Sequence, residues 1–242
     1  MRLLIDERGR KFLVEEEREV LHTDLGVIRL AGAEPPAELR SHLGHRFVML
    51  EPSVVDLHEK LPRAGSVVVR KEVGLIVANT GIGSGSKVVE AGTGTGSLAI
   101  YLAHIVGDTG RVYTYELNEK HLEIARRNFA AAGVEHRIVA ELRDVREGIE
   151  AGEVDAVVFD MPDPWLAVEH AFSALKRGGF IAVYNPYIEQ IRRAYEAMRE
   201  AGFRFLRVVE LLEREIEVRS VGTRPRTRMV GHTGYLAFGR KC

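Results

Sequence analysis

Lys87-Val-Val-Glu-Ala-Gly-Thr-Gly-Thr-Gly-Ser97 opens with β-branched residues, reaches an acid at Glu90, and then alternates glycine at Gly92, Gly94 and Gly96. From Ser97 onward the apolar spacing becomes helical. A short apolar run closed by glycines and followed by a helical pattern reads as a buried parallel strand, a tight turn and a helix start. Glycine carries no Cβ, so such a turn lets a ligand lie against bare backbone amides at the head of a helix. The spacing is G-x-G-x-G, which differs from the G-x-G-x-x-G of dinucleotide-binding turns.

Outward from this loop, strand and helix patterns alternate over residues 67–242. Apolar residues at helical spacing run from Glu72 to Thr80. After the glycine loop come a helix over Ser97–Val106 and a strand over Arg111–Tyr115 closed by Glu116. Asn118 caps a helix that runs to Ala132, and Gly133 ends it. Strands over Arg137–Leu142 and Asp155–Phe159 lead to Asp144 and Asp160. A helix over Trp165–Leu175, a strand over Phe180–Tyr184, a helix over Ile188–Ala201 and strands near 204–212 and 233–239 complete the series. Repeated βα units imply a parallel sheet covered by helices on both faces. Residues 1–66 differ: short apolar runs at Lys11–Val14, Gly26–Leu30 and His45–Leu50 are separated by turn residues, as in a small module of β-hairpins, and Leu61–Ser66 reads as a linker.

Bulk composition narrows the function classes. The chain has 242 residues, 45% of them hydrophobic, with a net charge of -1 and a sequence pI near 6.8. That length suits one full α/β domain plus a smaller module. No global basic field advertises nucleic acid, which leaves that role to local patches. Cys242 is the single cysteine, so neither an intrachain disulfide nor a cysteine-based metal site is expected. No apolar run is long enough to span a bilayer and the first residues lack a signal-peptide pattern, so a soluble, cytoplasmic protein is expected.

In an open α/β sheet, ligands bind at the carboxyl ends of the strands. Three strand ends here carry acids. Glu116 lies twenty positions beyond Gly96, where a carboxylate can accept from both hydroxyls of a ribose. Asp144 follows the third strand of the domain, within reach of an adenine amino group. Asp160 opens Asp160-Met-Pro-Asp-Pro-Trp165, in which two prolines hold an extended, rigid turn. Any one of these acids alone could be a solvated loop residue; the glycine loop with all of them in this order reads as a site for S-adenosylmethionine. Trp165 either stacks on a base or packs at a helix start. The run Arg219–Arg228 holds four arginines in ten residues, which either grip phosphates or solvate a loop. Lone histidines such as His58 and His170 lack paired metal-ligand spacing.

The chain resembles the tRNA (adenine-N1)-methyltransferases that modify adenine 58 of the T-loop, and in archaea also adenine 57. The resemblance covers nearly the whole chain. It is carried by His22-Thr-Asp-Leu-Gly26, Ser41-His-Leu-Gly-His-Arg-Phe47, Glu90-Ala-Gly-Thr-Gly-Thr-Gly-Ser-Leu98, Tyr115-Glu116, Asp160-Met-Pro-Asp-Pro164, Arg224-Pro-Arg226 and His232-Thr-Gly-Tyr-Leu236. The glycine loop marks only the methyltransferase superfamily; the D-x-P-x-P turn with the late H-T-G-Y-L is more specific. The resemblance implies a class I methyltransferase fold, Rossmann-like with a seven-stranded, mostly parallel sheet, in residues 67–242. It also implies a small N-terminal β-barrel-like domain in residues 1–66 that helps hold tRNA, and a homotetramer.

On this basis the expected S-adenosylmethionine contacts are Glu90, Gly92, Gly94, Thr95, Gly96, Ser97, Leu98, Glu116, His121, Asp144, Val145 and Asp160. Asp160 is the expected catalytic residue. Arg63, Pro162, Arg224, Arg226 and His232 are the expected tRNA contacts, and no metal is expected. One stretch departs from the family pattern R-x-x-Q-I-I-Y-P-K-D. Here Arg63-Ala-Gly-Ser-Val-Val-Val-Arg-Lys-Glu72 keeps Arg63 and Lys71 but carries Ser66, Val69, Arg70 and Glu72 at the other marked positions. Two other readings stay open: a class I methyltransferase acting on a protein carboxylate or small metabolite, and a non-catalytic tRNA-binding subunit. The intact glycines and Glu116 favour catalysis.

Overall fold

The computed structural model describes residues 1–63, 65 and 67–242. Residues 2–50 form two antiparallel sheets. Strands β1 (Arg2–Asp6), β2 (Lys11–Val14), β5 (Ala37–Arg40) and β6 (Arg46–Leu50) make a sheet of order β2-β1-β6-β5, and β3 (Val20–Thr23) pairs β4 (Gly26–Arg29) in a hairpin. The two sheets close over one core of Leu4, Val14, Leu21, Leu25, Ile28, Leu30, Phe47 and Met49, which gives the barrel-like module. Arg2 is buried, and its guanidinium donates to the carbonyls of Leu30, Glu16 and Arg18, tying the β2–β3 loop to the segment after β4.

Helix α1 (Val54–Lys60) follows, started by a capping box in which Ser53 and Asp56 satisfy each other's backbone N–H groups. Its Leu57 joins the hydrophobic core of the larger domain. Lys11 of β2 meets Asp56 of α1 at 2.7 Å, so an ion pair links the module to this helix.

The larger domain runs through α2 (Arg70–Thr80), β7 (Lys87–Ala91), α3 (Ser97–Val106), β8 (Arg111–Glu116), α4 (Glu119–Ala131), β9 (Ile138–Leu142), β10 (Val154–Asp160), α5 (Val168–Ala174), β11 (Leu175–Asn185), α6 (Ile188–Glu200), β12 (Arg204–Glu210), the hairpin β13 (Ile216–Arg219) and β14 (Gly222–Pro225), and β15 (Tyr235–Arg240). Its sheet has seven strands in the order β12-β15-β11-β10-β7-β8-β9. Pairings from β9 across to β11 are parallel, and β15 runs antiparallel to both its neighbours. Strand order reverses between β7 and β10, and such a switch point opens a crevice at the strand ends. The central strands are apolar on both faces because helices cover both: Val88, Val158 and Ala182 belong to one core cluster, and Val89, Val157 and Ile181 to the other.

Two stretches take another form than expected. The expected single helix over Trp165–Leu175 is a 3₁₀ turn at Pro164–Leu166 followed by α5, and Leu175 already opens β11. The Arg219–Arg228 run is the end of β13, the strand β14 and the segment beyond it. Among the described residues, no helix is long and apolar enough to cross a membrane.

Candidate active site

A cavity of about 670 Å³ opens over the carboxyl ends of β7, β8, β10 and β11. The glycine loop forms its floor. Gly92, Gly94 and Gly96 have φ values of +69°, +54° and +82°, a region that glycine adopts without a Cβ penalty. At Gly92 the requirement is doubled, since an added Cβ would lie 2.0 Å from the carbonyl oxygen of Asp160. The loop and the Asp160 turn are therefore in backbone contact. Gly96 serves packing: a Cβ there would lie 2.3 Å from the ring of Phe129 on α4.

Glu116 organises the rim. One carboxylate oxygen accepts from Gly94 N at 2.7 Å, and the other accepts from Leu117 N and Asn118 N at 2.8 and 2.9 Å. A carboxylate has about four lone-pair positions. Three are taken here, so one remains for a ribose hydroxyl, and a grip on both hydroxyls would require the Gly94 N–H to be released. Asp144 is engaged too: both of its oxygens accept from the Arg146 guanidinium, at 2.6 to 2.9 Å. That bond, against a smaller opposing effect of burial, holds its carboxyl below the usual range. An adenine amino group would share Asp144 with Arg146.

Glu90 and Asp160 lie deeper. Glu90 is buried at the end of β7, where Thr114 donates to one oxygen and in turn bonds the Thr93 hydroxyl at 2.6 Å. Among the described residues the other oxygen has no partner. Burial pushes the Glu90 carboxyl up to about 8; the Thr114 bond opposes this, and the charges of Asp160 and Glu116 add to it. Burial likewise pushes Asp160 up to about 7. Among the described residues, neither acid has a cationic side chain within ion-pair distance.

A raised carboxyl pKa sets the sign of a pH effect. The folded chain keeps the Glu90 proton between the ordinary value, 4.5, and about 8, whereas the unfolded chain has lost it. Stability attached to this group is therefore full below the ordinary value and declines as pH rises to about 8. Glu90→Gln is expected to flatten the decline in melting temperature of the ligand-free protein between pH 5 and 8. A wild-type decline that the variant keeps would place its cause elsewhere.

Of the sequence-expected positions, Glu90, Gly92, Gly94, Thr95, Ser97, Leu98, Glu116, His121, Asp144, Val145, Asp160 and Pro162 line the cavity. Arg63 does not; it donates to the carbonyl of His58 and steadies the end of α1. Arg224 and Arg226 stand on the exposed β13–β14 hairpin, within ion-pair range of Glu217, with Arg226 also meeting Glu215 at 2.6 Å. Trp165 is not in the cavity wall, and the Arg193 guanidinium lies 5.3 Å from its ring centre. In the divergent stretch, Ser66 falls outside the described residues. Val69 precedes α2, and Val67 and Val68 line the cavity. Glu72 is buried and bonded by both Lys71 and Thr233. Thr233 also offers its carbonyl to Tyr184 at 2.6 Å, and burial, with Glu72 and Asp160 nearby, pushes the Tyr184 hydroxyl up to about 12.

His232 stands outside the cavity, yet one ring nitrogen meets Glu210 at 2.6 Å and the other meets the carbonyl of Pro186 at 2.8 Å. Both partners are acceptors, so both bonds form only when the ring carries two protons. The Glu210 bond is the largest cause of its raised pKa, followed by the Pro186 bond. The stabilisation is thus complete below the ordinary value, 6.5, and lost as pH rises through the folded-state value. His232→Ala is expected to abolish that component of the pH–stability profile above pH 6, read by thermal melts; an unchanged profile would show that the clasp contributes nothing.

The fold and this site define a class I, S-adenosylmethionine-dependent methyltransferase. The residues fit that cofactor: a glycine cradle that a Cβ would fill, a partnerless buried carboxylate oxygen and two unpaired acids suited to a cationic ligand. Residues 48–223 match the family model described as tRNA methyltransferase complex GCD14 subunit, and the chain belongs to this family. It is 38% identical to the tRNA (adenine(57)-N(1)/adenine(58)-N(1))-methyltransferase of Methanocaldococcus jannaschii, over 99% of this chain and 94% of that one. The tRNA (adenine(58)-N(1))-methyltransferase of Thermus thermophilus is 34% identical, over 99% and 96%. Among solved structures, a SAM-dependent O-methyltransferase from Thermotoga maritima superposes with a TM-score of 0.91 at 32% identity, covering 99% of this chain and 92% of that one. A tRNA methyltransferase from Aquifex aeolicus that makes N1-methyladenine 58 shares the fold, with a TM-score of 0.82 at 24% identity over 100% and 96%.

Proposed function

We propose that this chain transfers the methyl group of S-adenosylmethionine to N1 of adenine 58 in the tRNA T-loop, with adenine 57 as a second acceptor. The observation that carries the reading is Asp160: a half-buried acid with no cationic partner, held against the glycine loop on a turn stiffened by Pro162 and Pro164. The family and the names of its relatives support the substrate.

The cofactor would supply a methyl group already activated on a sulfonium, so the chain's task is to place the acceptor in line with it. Glu116 would hold the ribose through its remaining lone pair, Asp144 and Val145 would border the adenine ring, and Glu90 and Asp160 would face the cationic portion. Adenine N1 has a free lone pair near neutral pH, so no strong base is needed. Asp160, when ionised, accepts from the exocyclic amino group, orients the base and favours the positive charge that develops on the ring. Adenine 58 is engaged in tertiary pairing and must be extracted into the cavity.

We place the division of labour at residue 66, with residues 1–66 binding tRNA and supporting assembly and 67–242 catalysing. We also propose a cytoplasmic homotetramer. Exposed Ile216, Val218 and Val221 on the β13–β14 hairpin support an assembly role for that hairpin. The arginines beside them supply a local basic surface for phosphates.

An oxygen acceptor is the second reading, favoured by the name of the Thermotoga maritima protein. Transfer of labelled methyl to unmodified tRNA transcripts separates the two. Label is expected with adenine at 57 and 58, and its loss with guanine at both; label indifferent to these positions would reject the proposal.

A further inference from the structure

Two side-chain amides hold the catalytic turn. Asn185, the last residue of β11, donates from Nδ2 to the carbonyl of Met161 at 3.0 Å, and Gln190 on α6 donates from Nε2 to the carbonyl of Pro162, also at 3.0 Å. Successive carbonyls of the Asp160-Met-Pro turn are thus fixed from the neighbouring strand end and helix. In the sheet, Asp160 is paired with Tyr184, so Asn185 lies one residue beyond the partner of the proposed catalytic acid.

Asn185 is 1% exposed, lines the cavity and, among the described residues, leaves its Oδ1 without a partner. A buried acceptor left unpaired costs about 1–3 kcal/mol, and buried polar groups are satisfied in the great majority of cases. An orphan of this kind beside a ligand cavity marks a place where a ligand completes the bonding. The Nδ2 bond to Met161 settles which end of the amide is committed. The free end is an oxygen, which accepts and cannot donate. It therefore selects a ligand with an N–H group and rejects a keto oxygen at the same position.

We propose that Asn185 is a specificity-determining residue whose Oδ1 accepts the second hydrogen of the exocyclic amino group of the target adenine. The assignment rests on the adenine-methylating reading above. An amino group has two hydrogens; with Asp160 accepting one and Asn185 the other, the wall reads adenine as a base bearing an amino donor. Guanine and hypoxanthine present an acceptor there and would meet two acceptor oxygens.

The test replaces the target adenine by purine, which keeps the N1 lone pair and lacks the amino group. Single-turnover methylation of T-loop RNA with adenine or purine at 58 is measured for the wild type, Asn185→Ala and Asn185→Ser. The wild type is expected to prefer adenine. Both variants are expected to slow on both RNAs through the lost bond to Met161, and on adenine by about tenfold more, the worth of about one hydrogen bond, so that the adenine-to-purine ratio falls by about that factor. Equal slowing on both RNAs would show that Asn185 only supports the turn, and an unchanged ratio would overturn the proposal. If a variant does not fold, as judged by its thermal melt, the other carries the test, because Gln190 still holds Pro162. A wild type inactive on adenine 58 RNA would instead reject the substrate reading, which keeps the two failures distinct.

Discussion

Asp160→Ala is expected to lower the single-turnover rate of methyl transfer to T-loop RNA by about 10²- to 10³-fold at saturating cofactor, the usual loss when a preorganised electrostatic group is removed. Asp160→Asn keeps the shape of the side chain and loses the charge, and should fall nearly as far. The pH dependence supplies a second signature. In the free protein burial holds this carboxyl at about 7, so a reaction that needs it ionised rises with pH up to that value. The profile of kcat/KM reports groups of the free enzyme, so it should show this acid limb in the wild type and lack it in Asp160→Asn. Near-normal single-turnover rates in Asp160→Ala would refute the role.

Gly92→Ala is expected to weaken S-adenosylmethionine binding by at least about 100-fold and to lower the melting temperature by roughly 5–10 °C. The added Cβ would lie 2.0 Å from the Asp160 carbonyl oxygen and 3.0 Å from its carbonyl carbon. Both are backbone atoms at the end of a central strand and cannot step aside as a flexible side chain would. The left-handed φ of +69° adds its own cost. Gly94→Ala makes the control: its φ is +54°, but nothing lies within 4 Å of the added carbon. It should fold with a smaller change. If the two variants melted and titrated alike, the contact between the glycine loop and the Asp160 turn would not be what holds the cradle.

The catalytic half of the fold was legible because its signals are local. Helix α3 spans Ser97–Val106 as its apolar spacing implies, and Asn118 caps α4 through bonds from Lys120 N and His121 N. The strand-end acids were readable because a buried strand cannot carry them until it reaches the crevice. Elements with weak local signals were not found. Strand β1 is flanked by charges, and β13–β14 is too polar to look like a hairpin whose stability comes from burial. Helix α1 is only seven residues long, although the Ser53-x-x-Asp56 pair announces its start. Long-range chemistry stayed hidden for a different reason. Glu72 and Thr233 are 161 positions apart, and no spacing rule joins them. Arg63, Arg224 and Arg226, expected from the resemblance as tRNA contacts, lie outside the cavity and are bonded to a carbonyl and to acids, which no local spacing announces. Asn185 carries one faint local sign, its place before Pro186 at a strand end, which is where the Asp160 turn also begins.

The most direct test of the account is the position of the methyl group on RNA. The protein is incubated with labelled S-adenosylmethionine and an unmodified tRNA transcript, and the modified nucleotide is located by nuclease digestion and mass spectrometry. N1-methyladenine is expected at position 58, with a further share at 57, both dependent on Asp160. A methyl group on any oxygen, at another nucleotide, or at adenine 58 in undiminished yield with Asp160→Ala would contradict it.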